Sequence, residues 1–397
     1  MCPSRKDDMG GTEELLKLIR VSLWGGESCR ADEQVFEQLC AQKLAALPAH
    51  VLGHMDMPDD LRARWAQVIR RQLAGQLHYA FVEQALPVTV PYAILKGSAA
   101  AKYYPHPELR AMGDIDLMTR REDFDAACGM LLDAGYTEAF DFQADGVMRH
   151  REFRKDHVTV EVHRYFARLN DPEASRYLDE TIIDSIDDTH VLPDPVNGLV
   201  ILEHIAQHLE EGLGLRQIID WMMFADECLA DACWEAFRPM ARRVGLETLA
   251  VAVTHMCEIY LGLPERAWCR GADPAVCEEL LGYVLACGNL GASQQEESHA
   301  SDRALSAARS PRAFITLLQR HGMVTWKAAQ RHAWLRPFAW LYQLGRYARK
   351  GLARTDALGR LREEADRAGR RNRLMDALGV GQQAKGYAVY RDGRYEK

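Results

Sequence analysis

The chain has 397 residues, 48% of them apolar, and a formal net charge of −8. That length is too great for one small core and predicts two or three domains; the acidic balance argues against a general nucleic-acid binder, which carries a basic excess. Ten cysteines without a C-x-x-C pair fit a reducing compartment with free, mostly buried thiols, so a cytoplasmic protein is expected.

Residues 1–87 read as an N-terminal helical region. The polar start from Met1 to Gly11 is expected to be frayed, and no apolar segment of a secretory signal follows it. Leu15, Leu16, Leu18 and Ile19 begin an amphipathic stretch. A second runs from Asp32 to Leu47, with Val35, Phe36, Leu39 and Leu44 on its apolar face. A third starts at Asp59-Asp60, carries Leu61, Trp65, Ile69, Leu73, Leu77 and Phe81, and ends before Pro87. Over 88–190 the period changes. Val88 to Leu95 is β-branched and apolar, Ser98 to Tyr104 suits a short helix, Gly113 to Thr119 a strand, and Glu122 to Ala134 a helix ended by Gly135. Met148 to Arg154 and Val158 to Tyr165 suit a hairpin turning at Lys155-Asp156-His157. From Pro195 the helical period returns, with helices expected at 196–210, 215–229, 234–244, 246–261 and 274–287 in a C-terminal helical domain of residues 191–345. Gly291 to Asp302 reads as an exposed loop, and Pro311 to Gln343 as aromatic-rich and helical. Residues 346–397 form a charged helical or loose tail. No apolar run reaches the roughly 18 residues of a membrane span.

Two aspartates, Asp114 and Asp116, stand two residues apart in Gly113-Asp114-Ile115-Asp116-Leu117. On a strand, side chains at i and i+2 share a face, and Glu161 of Val160-Glu161-Val162-His163 can join them from a neighbouring strand. Three converging carboxylates repel one another unless a cation sits between them, and a hard divalent cation with oxygen ligands meets that need. The pattern predicts a metal site of Asp114, Asp116 and Glu161 for Mg²⁺ or Mn²⁺.

These residues look familiar in combination. Lys96-Gly97-Ser98, Tyr104-Pro105-His106-Pro107, Arg110 and Gly113-Asp114-Ile115-Asp116-Leu117 resemble the DNA polymerase β-like nucleotidyltransferase superfamily, and more closely its branch of uncharacterised bacterial nucleotidyltransferases. The resemblance runs from about Ile94 to Phe166 and weakly on to the helices around His204 to Trp221, where the branch carries H-x-x-x-H and G-L-R-x-x-x-D-W. The stretch between Ser98 and Asp114 is longer than the superfamily's common spacing, as the Y-P-x-P insertion of this branch explains. The resemblance implies an α+β fold: a small mixed sheet flanked by helices, with a helical domain packed against it. It also implies that Asp114, Asp116 and Glu161 are the metal-binding and catalytic acids, and that Gly97-Ser98 receives a nucleoside triphosphate.

The chemistry is coherent without the name. Nucleotidyl transfer is an in-line attack on the α-phosphorus with pyrophosphate leaving, and metal ions stabilise the attacking and leaving oxygens. Gly97 lets the backbone approach a phosphate, and Ser98 can donate to it, helped by a following helix N-terminus. Lys96 and Arg110 can neutralise phosphates; Arg110 can equally pair with Asp114 or anchor the Tyr-Pro-His-Pro loop. His163 shares the face of Glu161. His204 and His208, at i and i+4, read as a helix face lining the substrate cleft or as packing. Zinc is disfavoured, because no glutamate follows His204 and no third ligand is apparent. Asp220 is expected to hydrogen-bond within the helices, with Arg216 four residues earlier. The leading expectation is an Mg²⁺-dependent transferase moving a nucleoside monophosphate from an NTP to a hydroxyl of a small molecule or protein, with no membrane or long nucleic-acid partner. The alternative is a non-catalytic nucleotide- or partner-binding module on the same fold.

Overall fold

Apolar residues spaced three and four apart build the first helices of the computed structural model: α1 (Arg5–Trp24), α2 (Glu33–Ala41) and α3 (Asp59–Gln84). The structure describes residues 5–27, 29–139, 148–169, 171–287, 315, 318–319, 322–323, 325–352, 369–380, 389–391 and 394–396. Asp32 caps α2 by accepting the Val35 amide at 3.0 Å. Of the start expected to be frayed, Arg5 to Gly11 belong to α1, and Met1 to Ser4 lie outside the described residues.

A five-stranded sheet follows, in the order β1-β2-β5-β4-β3. It comprises β1 (Tyr92–Leu95), β2 (Ile115–Thr119), β3 (Thr137–Ala139), β4 (His150–Lys155) and β5 (Val158–His163). Only β2 and β5 run parallel; the other neighbours are antiparallel. β1 is shorter than the expected 88–95, because Pro91 has no N–H to give a ladder. β4 and β5 are joined at Asp156-His157, both with positive φ (49° and 66°), the backbone of a two-residue hairpin turn. β3 was not expected from the sequence: it is three residues long and held by pairing Thr137 with Arg154 across to β4.

Strand periodicity sorts side chains between two faces. Ile115, Leu117, Val158, Val160 and Val162 pack with Phe124, Ala127 and Leu131 of α5 (Phe124–Asp133). The alternate positions turn the other way, where Leu95 and Met118 join an apolar cluster with α1, α3 and the C-terminal helices. Helices therefore cover both sides of a mixed sheet, an α+β architecture. Those C-terminal helices are α7 (Asp194–Glu211), α8 (Leu215–Cys228), α9 (Asp231–Arg243), α10 (Glu247–Leu261) and α11 (Pro274–Cys287), close to the expected spans. Between the sheet and α7 lies α6 (Pro172–Asp184), which the sequence reading left out although Asp171-Pro172 is a helix start: Asp171 accepts the Glu173 amide at 3.0 Å. Farther on, α12 (Lys327–Arg331) and α13 (Ala339–Leu352) fall within the expected aromatic-rich region and just beyond it. The expected loop at 291–302 and most of the expected tail lie outside the described residues. No described helix is long and apolar enough to cross a membrane.

Candidate active site

The parallel register of β2 and β5 sets Asp116 directly beside Glu161. Asp114 sits just before β2, so its side chain turns to the same place, and single carboxylate oxygens of Asp114, Asp116 and Glu161 all lie within 4.8 Å of one another. β1 pairs Leu95 with Asp116, which brings the next residue, Lys96, onto the acids. Its ammonium is 2.6 Å from Asp116 Oδ1. His163 Nε2 is 2.9 Å from the same oxygen and 3.4 Å from Glu161 Oε2.

The charges of this cluster are set by burial and by one another. Asp116, 1% exposed, pays the desolvation that raises a carboxyl pKa, yet Lys96 and the hydrogen bond from His163 outweigh it and hold the group well below its ordinary range. Asp114 goes the other way: the neighbouring Asp116 charge first, then burial, push it up to about 7. Burial opposes the charge on Lys96, but Asp116, Asp114 and Glu161 raise its pKa, so it stays protonated. Glu161 is lowered against burial by the His163 hydrogen bond, and His163 is raised against burial by its two carboxylates. Asp116 Oδ2 is buried with no hydrogen-bond partner. An orphaned buried carboxylate oxygen beside two further acids is a donor set that could hold a hard cation.

The turn before these acids is strained. Lys96 and Gly97 have consecutive positive φ angles of 51° and 42°. A Cβ on Gly97 would lie 2.8 Å from Met112 Cε and 3.7 Å from the Asp114 carbonyl, so glycine keeps the turn pressed against the Asp114 loop. Ser98 donates to both oxygens of Glu83 at 2.8 Å, tying the turn to α3. The helix α4 that follows (Gly97–Ala101) has only five residues, so the expected contribution of a helix N-terminus does not apply. Arg110 is buried and its Nε and Nη2 each donate to Asp220 at 2.7 Å, while the Tyr104 hydroxyl donates to the same carboxylate at 2.8 Å. Of the alternatives for Arg110, the structure displays the loop anchor. Asp220 is thus paired with Arg110 and not, as expected, with Arg216.

On α7, His204 and His208 join through their Nε2 atoms at 2.9 Å. Burial lowers both, His204 well below its ordinary range and His208 to about 4, and the positive charges of Lys96 and Arg216 push the same way. Both rings are neutral. Among the described residues, neither belongs to a group able to hold a metal. Two residues near the acids escaped the sequence reading. His150 pairs across the hairpin with His163 and groups with it and Glu161; counting back from the Asp156-His157 turn would have found it. Arg216 lies inside the G-L-R motif but was assigned to Asp220.

The segment that follows β5 is braced by buried acids. Asp179 of α6 accepts the Phe166 and Ala167 amides at 2.9 Å each, and Glu203 of α7 accepts the Arg168 amide at 2.7 Å and a bond from Gln207. Burial pushes Glu203 up to about 7 despite those bonds. The folded carboxyl keeps its proton to about pH 7 while the unfolded one releases it near 4.5; stability is therefore lost as pH rises through that window. Glu203→Gln is expected to be the more stable protein at pH 8, by up to about 3 kcal/mol, with little difference at pH 4.5. Urea unfolding at both pH values reads this; equal pH slopes in variant and parent would refute it.

The family model for an uncharacterised nucleotidyltransferase matches residues 30–262, more than half of the chain. The chain belongs to this nucleotidyltransferase family. The match runs from just before α2 to the end of α10 and includes every residue of the acidic cluster together with His204, His208 and Arg216. No curated protein and no solved structure matches the chain.

Proposed function

We propose that the protein transfers a nucleoside monophosphate from an NTP to a hydroxyl on a small molecule or protein and releases pyrophosphate, with Mg²⁺ or Mn²⁺ held by Asp114, Asp116 and Glu161. The convergence of three carboxylates, together with the unpaired Asp116 Oδ2, carries this reading. A bound divalent ion supplies Lewis-acid stabilisation of charge on the phosphate and on the attacking and leaving oxygens.

The chain's own residues do the rest. Lys96 and His163 fix the Asp116 carboxylate from one side and leave Oδ2 free. Glu161, 20% exposed, is within reach of an incoming hydroxyl, and its ionised form accepts the proton as the acceptor oxygen bonds to the α-phosphorus. The bond from the α-phosphorus to the bridging oxygen breaks, and pyrophosphate departs with the electron pair. The strained Lys96-Gly97 turn offers its backbone to phosphate. The charge of −8 favours a small or protein acceptor over a long polynucleotide.

The test is calorimetry of each NTP with MgCl₂, followed by transfer of α-phosphate label to a cell extract freed of small nucleotides. Mg²⁺-dependent NTP binding and a labelled acceptor are the expected results. Binding that is indifferent to Mg²⁺ and Mn²⁺, or that survives Asp114→Asn with Asp116→Asn, overturns the metal assignment.

A further inference from the structure

Three cations, Lys96, Arg110 and Arg216, are coupled to the charge of Asp114, and two of them are matched by carboxylates. Lys96 is 2.6 Å from Asp116, and Arg110 is held bidentate by Asp220. Arg216 differs. Its one hydrogen bond runs from Nη1 to the Ala111 carbonyl at 3.0 Å. Its Nε is buried without a partner. No described carboxylate lies within ion-pair distance of it. A guanidinium has five N–H donors and keeps its proton in proteins; on the partly buried Arg216 the buried, unpartnered Nε is costly unless an anion arrives.

The position of Arg216 says which anion. It is the second residue of α8, whose first amide is secured by Gln42 Oε1 at 2.8 Å, so the base of the side chain is fixed. It grips Ala111, the start of the loop Ala111-Met112-Gly113-Asp114. Met112 in turn closes over Gly97. The charge of Arg216 is felt by Asp114, and that of Asp114 by Arg216. The guanidinium therefore holds the loop that carries the first metal-binding acid and that packs through Met112 over the strained glycine turn. A planar fork with free parallel donors suits the oxygens of a phosphate chain.

We infer that Arg216 binds the polyphosphate of the substrate, taking the phosphates that leave as pyrophosphate. This rests on the nucleotidyl-transfer reading and adds a residue to it. Lys96 is held by Asp116 and Arg110 by Asp220, so the phosphate chain is directed to Arg216.

The experiment is calorimetric titration of the full chain with inorganic pyrophosphate in MgCl₂, and separately with NTPs, for the parent, Arg216→Ala and Arg216→Lys, with thermal melting of each. Pyrophosphate is expected to bind the parent, to bind Arg216→Ala at least tenfold more weakly, and to bind Arg216→Lys at an intermediate strength, because lysine keeps the charge but not the fork. Equal pyrophosphate binding by a folded Arg216→Ala overturns the inference and leaves nucleotidyl transfer standing. Should Arg216→Ala fail to fold, Arg216→Lys decides: binding equal to the parent overturns the inference. Unchanged pyrophosphate and NTP affinity with lost turnover would place the arginine on the acceptor instead and also overturn it. A parent that binds neither pyrophosphate nor any NTP removes the functional reading and the inference together.

Discussion

Asp116→Asn is expected to lower kcat at least about 10³-fold, because charge stabilisation by a carboxylate-held metal is worth several kcal/mol and each 1.36 kcal/mol is tenfold in rate. The substitution removes the carboxylate to which Lys96 and His163 both point. It also leaves Lys96, 15% exposed, beside only the more distant acids, so the metal-free variant should be less stable than its parent. Asp114→Asn separates the two effects. It relieves the repulsion that pushes the Asp114 carboxyl up to about 7, so metal-free Asp114→Asn should be the more stable protein above that pH. Yet it should lose the rise in melting temperature that MgCl₂ gives the parent. Pyrophosphate release and melting curves with and without MgCl₂ check both variants. Full turnover in Asp116→Asn would remove that residue from the chemistry.

The second large effect falls on folding. Arg110→Ala is expected to destabilise the protein by about 3–5 kcal/mol, the range for breaking a buried ion pair by removing one partner. Asp220 would then be buried with only the Tyr104 hydroxyl against it. At 2–4 °C per kcal/mol for domains of 150–250 residues, the melting temperature should fall by roughly 10 °C. Arg110→Lys should recover only part of this, since one ammonium cannot make both 2.7 Å bonds that the guanidinium makes. An unchanged melting temperature with a lost NTP affinity would return Arg110 to the phosphate role that its sequence position suggested.

Much of the site was legible because it is built from local patterns. Alternation around Asp114, Asp116, Glu161 and His163 shows which side chains share a face, and the hairpin turn at Asp156-His157 fixes β4 against β5. The helices of the C-terminal half carry strong 3.6-residue periods, and their ends fell within a few residues of expectation. The short β3 and β1 were misread or missed because a three- or four-residue strand has too few alternations to register and is decided by its partner. Asp220 was given to Arg216 on helical spacing, whereas its partner Arg110 lies 110 residues away.

By itself the sequence determined the residue types and the faces: which acids alternate with apolar neighbours, where glycine permits a tight turn, which helices are amphipathic. Tertiary structure alone decided the matching of charges. Parallel pairing of β2 with β5 brings Asp116 to Glu161, the β1 ladder delivers Lys96 to Asp116, and packing of α8 against the Tyr-Pro-His-Pro loop gives Asp220 to Arg110 and leaves Arg216 unmatched. Charge pairing depends on distance in space and on burial, and neither quantity is carried by residue spacing once the partners lie on separate elements.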